Sequence, residues 1–281
     1  MKARIVVMGN KNLAVGCTAH LLGIRGNVVT VVLNPDDDGL DRHGYFSLKR
    51  FARSRALPSY QPRNASEPGF VETLRGLSPD LIFSFSYSRI IRKNFLDAFR
   101  DRVFNLHFSL LPRNRGCLPL IYALAEGDPE TGVTLHLMDE GIDTGDIIAQ
   151  TRLPITTSDT ARTLYFRASA AGLALFAETY PSILDASFLR IPQPEERASY
   201  HPQQNPNDRW IDWTWGSERI HAFIRAHTFW PPYPGARFHH KGRLWEVRHL
   251  GEDLFQVANG SHSVEMPFSH FMGRFAGDSG K

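Results

Sequence analysis

The amino-acid sequence predicts an α/β fold with a mostly parallel sheet, followed by a small C-terminal α+β domain with antiparallel strands. In the first half of the chain, segments typical of buried strands alternate with segments typical of helices. A stretch rich in Pro, Gln and Asn follows at 187–208, and short strand-like segments separated by glycine-containing turns fill the end. We therefore predict a main domain at 1–190 and a small domain at 205–281, joined by this linker.

The elements of the main domain follow one another in a regular order. Short apolar runs rich in β-branched residues predict strands, and the longer segments between them predict helices, so the connected strands should run parallel. No G-x-G-x-x-G motif follows the first strand, so the sequence does not predict NAD binding. We predict strands at 3–9, 27–34, 80–86, 102–108, 132–138 and 146–155, and helices at 12–26, 47–56, 91–99, 118–126 and 159–180.

The small domain has a different pattern. One amphipathic helix lies within 210–229, and the proline-rich segment 230–238 predicts a rigid turn. Three short strand-like runs then predict a small antiparallel sheet. These runs lie at 242–250, 253–259 and 261–268.

The composition excludes several functional classes. The chain has 281 residues, of which 42% are hydrophobic and 22% charged, and its formal net charge of +3 is mild. It has no apolar run long enough to cross a membrane. Cys17 and Cys117 are too few for a disulfide framework, and no metal-ligand spacing occurs. These features predict a cytoplasmic protein without a membrane partner or a metal ion.

Polar residues of a type suited to acyl transfer lie in two segments. Asn105 and His107 share one face at the end of a predicted strand, and the loop 139–146 carries four acidic residues and two glycines. Ligands bind at the carboxyl ends of strands in doubly wound sheets, so we expect both segments near such an end. An amide can stabilise an oxyanion, while an imidazole and a carboxylate can move a proton. Either segment alone is more often structural.

Taken together, the two segments resemble the folate-dependent formyltransferases. NLHFSLLPRNRG at 105–116 and PETGVTLHLMDEGIDTGDIIAQ at 129–150 carry the resemblance, and the separation of 38 positions from Asn105 to Asp143 matches the family's spacing. The family includes methionyl-tRNA formyltransferase, glycinamide ribonucleotide transformylase and the nucleotide-sugar N-formyltransferases. The resemblance covers the arrangement of about residues 1–180, and the segment after 210 resembles the start of the family's second domain.

The resemblance implies a Rossmann-like formyltransferase domain that uses N10-formyltetrahydrofolate and releases tetrahydrofolate. It implies that Asn105, His107 and Asp143 are the catalytic residues. It also implies that the folate pterin lies between two segments whose backbone groups read its edge. The predicted cofactor-binding residues are Ser86, Tyr87, Ser88, Arg89 and Ile90 of the first segment, and Asp139, Glu140, Gly141 and Ile142 of the second.

Among these enzymes, the sequence looks most similar to those that formylate nucleotide-linked amino sugars. Segments 84–91 and 113–119 resemble the sugar enzymes, and the C-terminal part is short and nearly neutral. The tRNA enzymes carry a basic insertion where this chain has the acidic stretch 34–44, which predicts no nucleic-acid partner. The implied acceptor is the amino group of a nucleotide-linked deoxyamino sugar, for example a dTDP-3- or 4-amino-dideoxyhexose, as in lipopolysaccharide O-antigen biosynthesis.

Residues that would bind this acceptor lie near the first helix and in the central loop. Asn10 and Lys11, at a helix N-terminus, are predicted to meet a diphosphate, and Arg115 is the third predicted substrate-binding residue. Aromatic residues near the linker are candidates for stacking on a base or for packing between domains. They are Trp210, Trp213, Trp215, Phe229, Trp230 and Tyr233. Edge strands of the terminal sheet make a homodimer the expected assembly.

The sequence leaves several alternatives open. The acceptor amine could instead belong to a hydroxyornithine-type precursor of a siderophore, or to methionyl-tRNA. A folate- or nucleotide-binding module without catalysis, and a structural component of an oligomer, belong to other functional classes. The base, the sugar and the position of the amine are not predicted.

Overall fold

A computed structural model of the chain describes residues 2–229, 233–251, 253–260 and 262–276. Trp230 lies outside the described residues. The chain divides into two compact units, each assembled from separate stretches of sequence. The first comprises residues 1–115, 132–152 and 168–199, and the second comprises 116–131, 153–167 and 200–281. The domain boundaries predicted near 190 and 205 stay a prediction.

Strands and helices alternate through the first half and strands predominate at the end. The strands are β1 Arg4–Gly9, β2 Asn27–Leu33, β3 Ser59–Tyr60, β4 Leu81–Phe85, β5 Val103–His107, β6 Arg115–Gly116, β7 Glu130–Leu137, β8 Ile147–Pro154, β9 Tyr200–His201, β10 Ala236–His240, β11 Arg243–Gly251, β12 Leu254–Asn259 and β13 His262–Pro267. The helices are α1 Lys11–Gly23, α2 Leu48–Ser54, α3 Pro68–Gly76, α4 Lys93–Ala98, α5 Pro119–Glu126, α6 Ala161–Leu184, α7 Ser217–Ala226 and α8 Phe268–Phe275.

The main sheet has the strand order β3-β2-β1-β4-β5-β7-β8. Strands β3, β2, β1, β4 and β5 pair in parallel, whereas β7 runs antiparallel to β5 and sets His136 opposite Asn105. The mostly parallel α/β fold is therefore confirmed. Strand β7 follows α5 along the chain and still reverses direction, so the sheet is mixed rather than purely parallel.

The main sheet is buried on both faces. On one face a cluster includes Val6 and Met8 of β1, Ile82 of β4 and Phe95 of α4, all fully buried. On the other face Leu106 of β5 lies under Gly172 of α6, where an added Cβ would be 3.0 Å from Leu106 Cδ2. Alternation along β5 thus directs Leu106 toward α6 and directs its polar neighbours to the opposite face.

Some elements lie where the pattern predicted none. Helix α3 begins at Pro68, which suits the first helical turn because that position needs no N–H donor. Strand β10 covers residues 236–240, so the prediction of a turn throughout 230–238 is wrong for its last three residues. These residues form ladder pairs with β11, such as Phe238 with Trp245, and the pairing overrides the local turn signal.

The second unit contains the antiparallel sheet β10-β11-β12-β13, as predicted for the C-terminal part. Phe238, Val247 and Phe255 are among its buried side chains, and Phe271 of α8 packs edge-on against Phe238. Helix α7 buries Ile220 and all of its C-terminal half, from Ala222 to Ala226. Among the described residues, no helix is both long and apolar enough to span a bilayer.

Candidate active site

Asn105, His107 and Asp143 come together in the first unit. The amide Nδ2 of Asn105 donates to Asp143 Oδ1 at 3.3 Å. His107 Nδ1 lies 3.4 Å from Asp143 Oδ2, and the two side chains are only 8% and 13% exposed. One carboxylate therefore contacts the amide with one oxygen and the imidazole with the other.

The path of the loop that carries Asp143 differs from the sequence expectation. Because β7 is antiparallel, the loop begins at the amino end of β5, where Met138 N donates to Val103 O at 2.8 Å. The loop then folds back over the face of β5. Asp139 closes this turn by accepting from Gly141 N at 3.2 Å and from Thr144 Oγ1 at 2.6 Å. The site therefore lies on the face of β5 in its carboxyl-terminal half, whose last residue is His107, and the loop from β7 reaches it by folding back from the other end of the strand.

Both ring nitrogens of His107 face hydrogen-bond acceptors. Nε2 lies 2.8 Å from the carbonyl oxygen of Asn114, and Nδ1 faces the Asp143 carboxylate. A carbonyl and a carboxylate only accept hydrogen bonds. Both ring nitrogens can therefore donate at the same time only when the ring carries both protons. The surroundings thus hold the ring where it can present positive charge next to a carboxylate.

His136 belongs to the same cluster and was not singled out in the sequence. Its Nδ1 lies 2.7 Å from Leu137 O and its Nε2 lies 3.1 Å from Asn105 Nδ2. An Nδ1–H donor leaves Nε2 as an acceptor, so His136 and Asp143 together determine which end of the Asn105 amide faces them. The signal in the sequence was the alternation Thr134-x-His136, which mirrors Asn105-x-His107 on the paired strand.

The first segment predicted to bind folate is held by Asn34. The Nδ2 of Asn34 donates to Ser86 O at 3.2 Å, and its Oδ1 accepts from Ser88 N at 3.1 Å. The Tyr87 hydroxyl is buried without a hydrogen-bond partner, and burial raises the pKa of Tyr87 to about 12. Arg89 and Ile90 are exposed, with Ile90 at 70%.

The second predicted folate segment lines a cavity of about 360 Å³. Asp139 and Glu140 contribute from the loop, while Ser86–Ile90 do not line this cavity. Glu140 forms an ion pair with Lys93 of α4. Gly141 and Ile142 are exposed at the turn. The other lining residues are Leu96, Asp97, Phe99, Arg100, Asp101, Val103, Leu137, Met138, Gly145, Asp146 and Arg190.

The three predicted substrate-binding residues lie in two places, with Asn10 and Lys11 at the start of α1 and Arg115 in β6. Asn10 caps α1, with its Oδ1 accepting from Lys11 N at 2.8 Å. The Lys11 ammonium lies 5.5 Å from the centre of the Tyr45 ring. The Arg115 guanidinium is 6% exposed and donates to Gln193 and Glu195. These contacts do not favour a substrate contact for Arg115, and all three assignments stay predictions.

Comparison with known proteins identifies the family. A family model described as "Formyl transferase" matches residues 3–179, and a second, "Formyl transferase, C-terminal domain", matches 204–264. A methionyl-tRNA formyltransferase from Geobacillus thermodenitrificans is 36% identical over 245 residues, which cover 86% of this chain and 76% of that protein.

Solved structures agree with these matches. WlaRD, a sugar 3N-formyl transferase crystallised with dTDP and 5-N-formyl-THF, aligns with a TM-score of 0.71 at 25% identity, over 95% of this chain and 97% of its own. An N-formyltransferase from Helicobacter canadensis, in complex with folinic acid and dTDP-3-aminofucose, aligns with a TM-score of 0.68 at 26% identity, over 95% and 99%. The chain therefore belongs to the formyl transferase family, as its two sequence motifs predicted.

Proposed function

We propose that this enzyme transfers the formyl group of N10-formyltetrahydrofolate to the amino group of a nucleotide-linked deoxyamino sugar. The observation that supports the sugar acceptor is the alignment with two sugar N-formyltransferases over 95% of this chain and nearly all of theirs. Both of those structures hold a formylated folate and a dTDP compound. A dTDP-3- or 4-amino-dideoxyhexose is the acceptor we propose.

In the proposed reaction the neutral amine attacks the formyl carbon directly. A C–N bond forms, the formyl oxygen becomes an oxyanion, and the tetrahedral intermediate then expels N10 of the folate. One proton leaves the attacking nitrogen and one proton arrives at N10, so the products are the formamide and tetrahydrofolate. The chain must therefore stabilise an oxyanion and move a proton, and it need not supply a nucleophile.

Asn105, His107 and Asp143 match these two tasks. The Asn105 amide is a donor suited to the oxyanion, and a His107 N–H can serve as a second donor only by leaving Asn114 O or Asp143. Asp143 is the acceptor for the proton of the attacking amine, and its contact with His107 couples the two charges. Both N–H groups of Asn105 are engaged by His136 and Asp143, so the formyl oxygen would replace one of these contacts.

The folate would lie beside this cluster, between the two segments predicted from the sequence. Exposed Ile90 and Ile142 offer apolar contacts, and backbone groups of the 139–143 loop offer hydrogen bonds. The cavity lined by Met138, Asp139 and Glu140 lies beside this loop, and its lining includes none of Asn105, His107 and Asp143. We further propose that Asn10 and Lys11 meet the diphosphate.

Three further parts of the proposal concern the whole protein. The boundaries 1–190 and 205–281 separate a catalytic domain from a small β-rich domain. The small domain pairs two chains through an edge strand of its sheet, which makes the enzyme a homodimer. The cytoplasm, where nucleotide sugars and reduced folates occur together, is the proposed location.

Methionyl-tRNA is the second candidate acceptor, because a relative that is 36% identical is named a methionyl-tRNA formyltransferase. The acidic stretch argues against tRNA less strongly than its composition suggests. Asp37 is 4% exposed and accepts from Ser47 Oγ at 2.6 Å and from Lys49 N at 3.0 Å, so it binds the start of α2 rather than facing solvent. Asp38 pairs with Arg42, and Asp41 pairs with Arg50 at 3.4 Å. These arginines offset much of the negative field.

Thermal shifts and turnover together test the acceptor. We expect dTDP-linked amino sugars to raise the melting temperature, because a ligand that binds only the folded state stabilises it. UDP- and GDP-linked sugars, hydroxyornithine and initiator methionyl-tRNA are the comparisons, each with formyltetrahydrofolate present. Formamide product from the dTDP sugar alone supports the proposal. Turnover of methionyl-tRNA without turnover of any sugar overturns it.

A further inference from the structure

The segment that follows α6 contacts both loops of the candidate site. Its Ile191 pairs with Ile147 through two backbone hydrogen bonds of 3.0 and 2.9 Å. At its other end the Ser199 hydroxyl accepts from Asn114 N at 2.8 Å, and Asn114 in turn offers its carbonyl to His107. We name the stretch 191–199 the brace. It contacts the end of the loop that carries Asp143, and it contacts Asn114, the backbone partner of His107.

Gln193 is the residue of the brace that holds the Asp143 loop. Its Nε2 donates to the backbone carbonyls of Asp143 and Gly145, both at 2.8 Å. Its Oε1 accepts from Arg115 Nε at 3.1 Å and from Nη2 at 2.9 Å. Since Arg115 can only donate, the amide oxygen must face it and the amide nitrogen must face the loop.

Glu195 completes this arrangement from the same brace. Its two oxygens accept from Arg115 Nη1 at 3.0 Å and from Nη2 at 2.8 Å, which is a bidentate pair. Hydrogen bonding to Arg115 also lowers the pKa of the Glu195 carboxyl. The Arg115 guanidinium is thereby held in one plane between the Glu195 carboxylate and the amide oxygen of Gln193.

The Asp143 loop requires such support. Asp143 has φ of 55°, in the left-handed region that is strained for a non-glycine residue. Its neighbour Gly145 lies so close to β7 that an added Cβ would be 2.0 Å from Leu137 O. Gln193 binds the carbonyl groups on both sides of this turn, so it determines where the Asp143 carboxylate points.

We propose that Gln193 is a positioning residue for Asp143, and that Arg115 sets the orientation of its amide. Gln193 acts through the loop and does not contact the reacting atoms. The inference rests on the proposed catalytic role of Asp143. It also gives Arg115 a place in the site other than the substrate contact predicted from the sequence.

Two variants of Gln193 test the inference. Gln193→Glu keeps an acceptor for Arg115 and replaces the two donated hydrogen bonds with oxygen facing oxygen, whereas Gln193→Ala removes the side chain. We expect kcat to fall roughly 10- to 100-fold in both, because small misplacements of a catalytic group are costly. We expect KM for the folate and the acceptor to stay within about threefold, because neither substrate contacts Gln193.

A substrate-independent readout accompanies the kinetics. Hydrogen exchange of backbone amides in 139–146 should accelerate in both variants, while exchange in β1 and β4 stays at the wild-type rate. Lys2→Met is the control. Lys2 Nζ also donates to a backbone carbonyl distant in sequence, that of Arg25 at 3.0 Å, and neither residue belongs to a predicted site. This control should change neither kcat nor exchange in 139–146.

The outcomes separate this inference from the acceptor proposal. If wild type formylates no amino sugar, the acceptor proposal fails, while exchange in 139–146 still tests Gln193. Unchanged exchange in that segment, or a rise in KM with kcat at the wild-type level, overturns the positioning role. Should Gln193→Ala not fold, Arg115→Lys tests the same arrangement, since an ammonium cannot bind both partners in one plane and the loop should again exchange faster.

Discussion

Asp143 Oδ1 accepts a hydrogen bond from Asn105 Nδ2 at 3.3 Å, across 38 residues of sequence. The contact joins a side chain fixed by the ladder of a central strand to one carried by a loop. A transferase that uses this pair for oxyanion stabilisation and proton transfer depends on both residues. Their removal gives the most direct test of the mechanism.

Asn105→Ala and Asp143→Ala should each lower kcat/KM for formyl transfer by about 10²- to 10⁴-fold, through loss of an oxyanion donor or of the proton acceptor. The measurement is formamide production under steady-state conditions. Asp185→Ala is the control, because that carboxylate accepts from Ser187 N at 3.1 Å in an exposed turn outside the site. Near wild-type turnover in both site variants would contradict the mechanism.

His136→Leu should lower kcat by roughly tenfold, because the Asn105 amide loses the acceptor at 3.1 Å that orients it. His136→Gln restores an acceptor oxygen and should retain more activity. Steady-state kinetics on both variants check the prediction. An equal loss in the two would mean that ring packing, and not the hydrogen bond, is what His136 provides.

Tyr87→Phe should leave the free energy of unfolding unchanged or raise it by up to about 1 kcal/mol, because the hydroxyl that is removed is buried without a partner. Urea unfolding measures this effect. Repeating the titration with formyltetrahydrofolate tests the predicted folate contact. If the hydroxyl binds folate, the variant will gain less stability from the ligand than wild type does.

The second unit should lose stability in mild acid because of buried histidines. Burial lowers the pKa of His227 from 6.5 to about 4, and burial also lowers the pKa of His221 to about 4. In the unfolded chain both rings protonate near pH 6.5, so between about pH 6.5 and 4 the unfolded state binds more protons. The stabilisation is therefore complete above pH 6.5 and decreases as the pH falls toward 4.

For His227 this difference corresponds to about 3 kcal/mol at pH 4. Urea unfolding followed by tryptophan fluorescence between pH 7 and 4 measures it. His227→Leu should flatten the pH dependence, and His270→Gln, at an exposed position of α8, should not. An identical pH dependence in wild type and His227→Leu would contradict the assignment.

The catalytic residues could be predicted from the sequence, whereas the direction of the strand and loop that bring Asp143 to them could not. Asn105, His107 and Asp143 were found because two motifs occur at one spacing. The direction of β7 was not, because burial along both faces of Glu130–Leu137 leaves no pattern that distinguishes a parallel from an antiparallel strand. His136 was missed for a related reason, since a single histidine in an apolar strand gains meaning only from the residue opposite.

Contacts distant in sequence account for the rest. Gln193 lies in a proline-rich stretch whose composition is that of a linker, and only its hydrogen bonds to residues 48 and 50 positions earlier reveal another role. Helix α3 has few apolar residues, and its buried Val71 and Leu74 form a helical face only once the sheet lies against them. The roles of these segments depend on tertiary contacts, which their amino-acid composition does not indicate.

Gly172 of α6 helps to position the candidate catalytic residues of β5, although it lies on the opposite face of the sheet. Leu106 stands between Asn105 and His107 in β5, and its side chain and that of Leu13 of α1 both lie against Gly172. A single methyl group at 172 would enter space already occupied, at 3.1 Å from Leu13 Cδ1, and would press on the strand from behind. The positions of Asn105 and His107 on one face of the sheet therefore depend in part on the absence of a side chain at residue 172 on the other face. A substitution at Gly172 would lower activity without changing any residue that a substrate could contact.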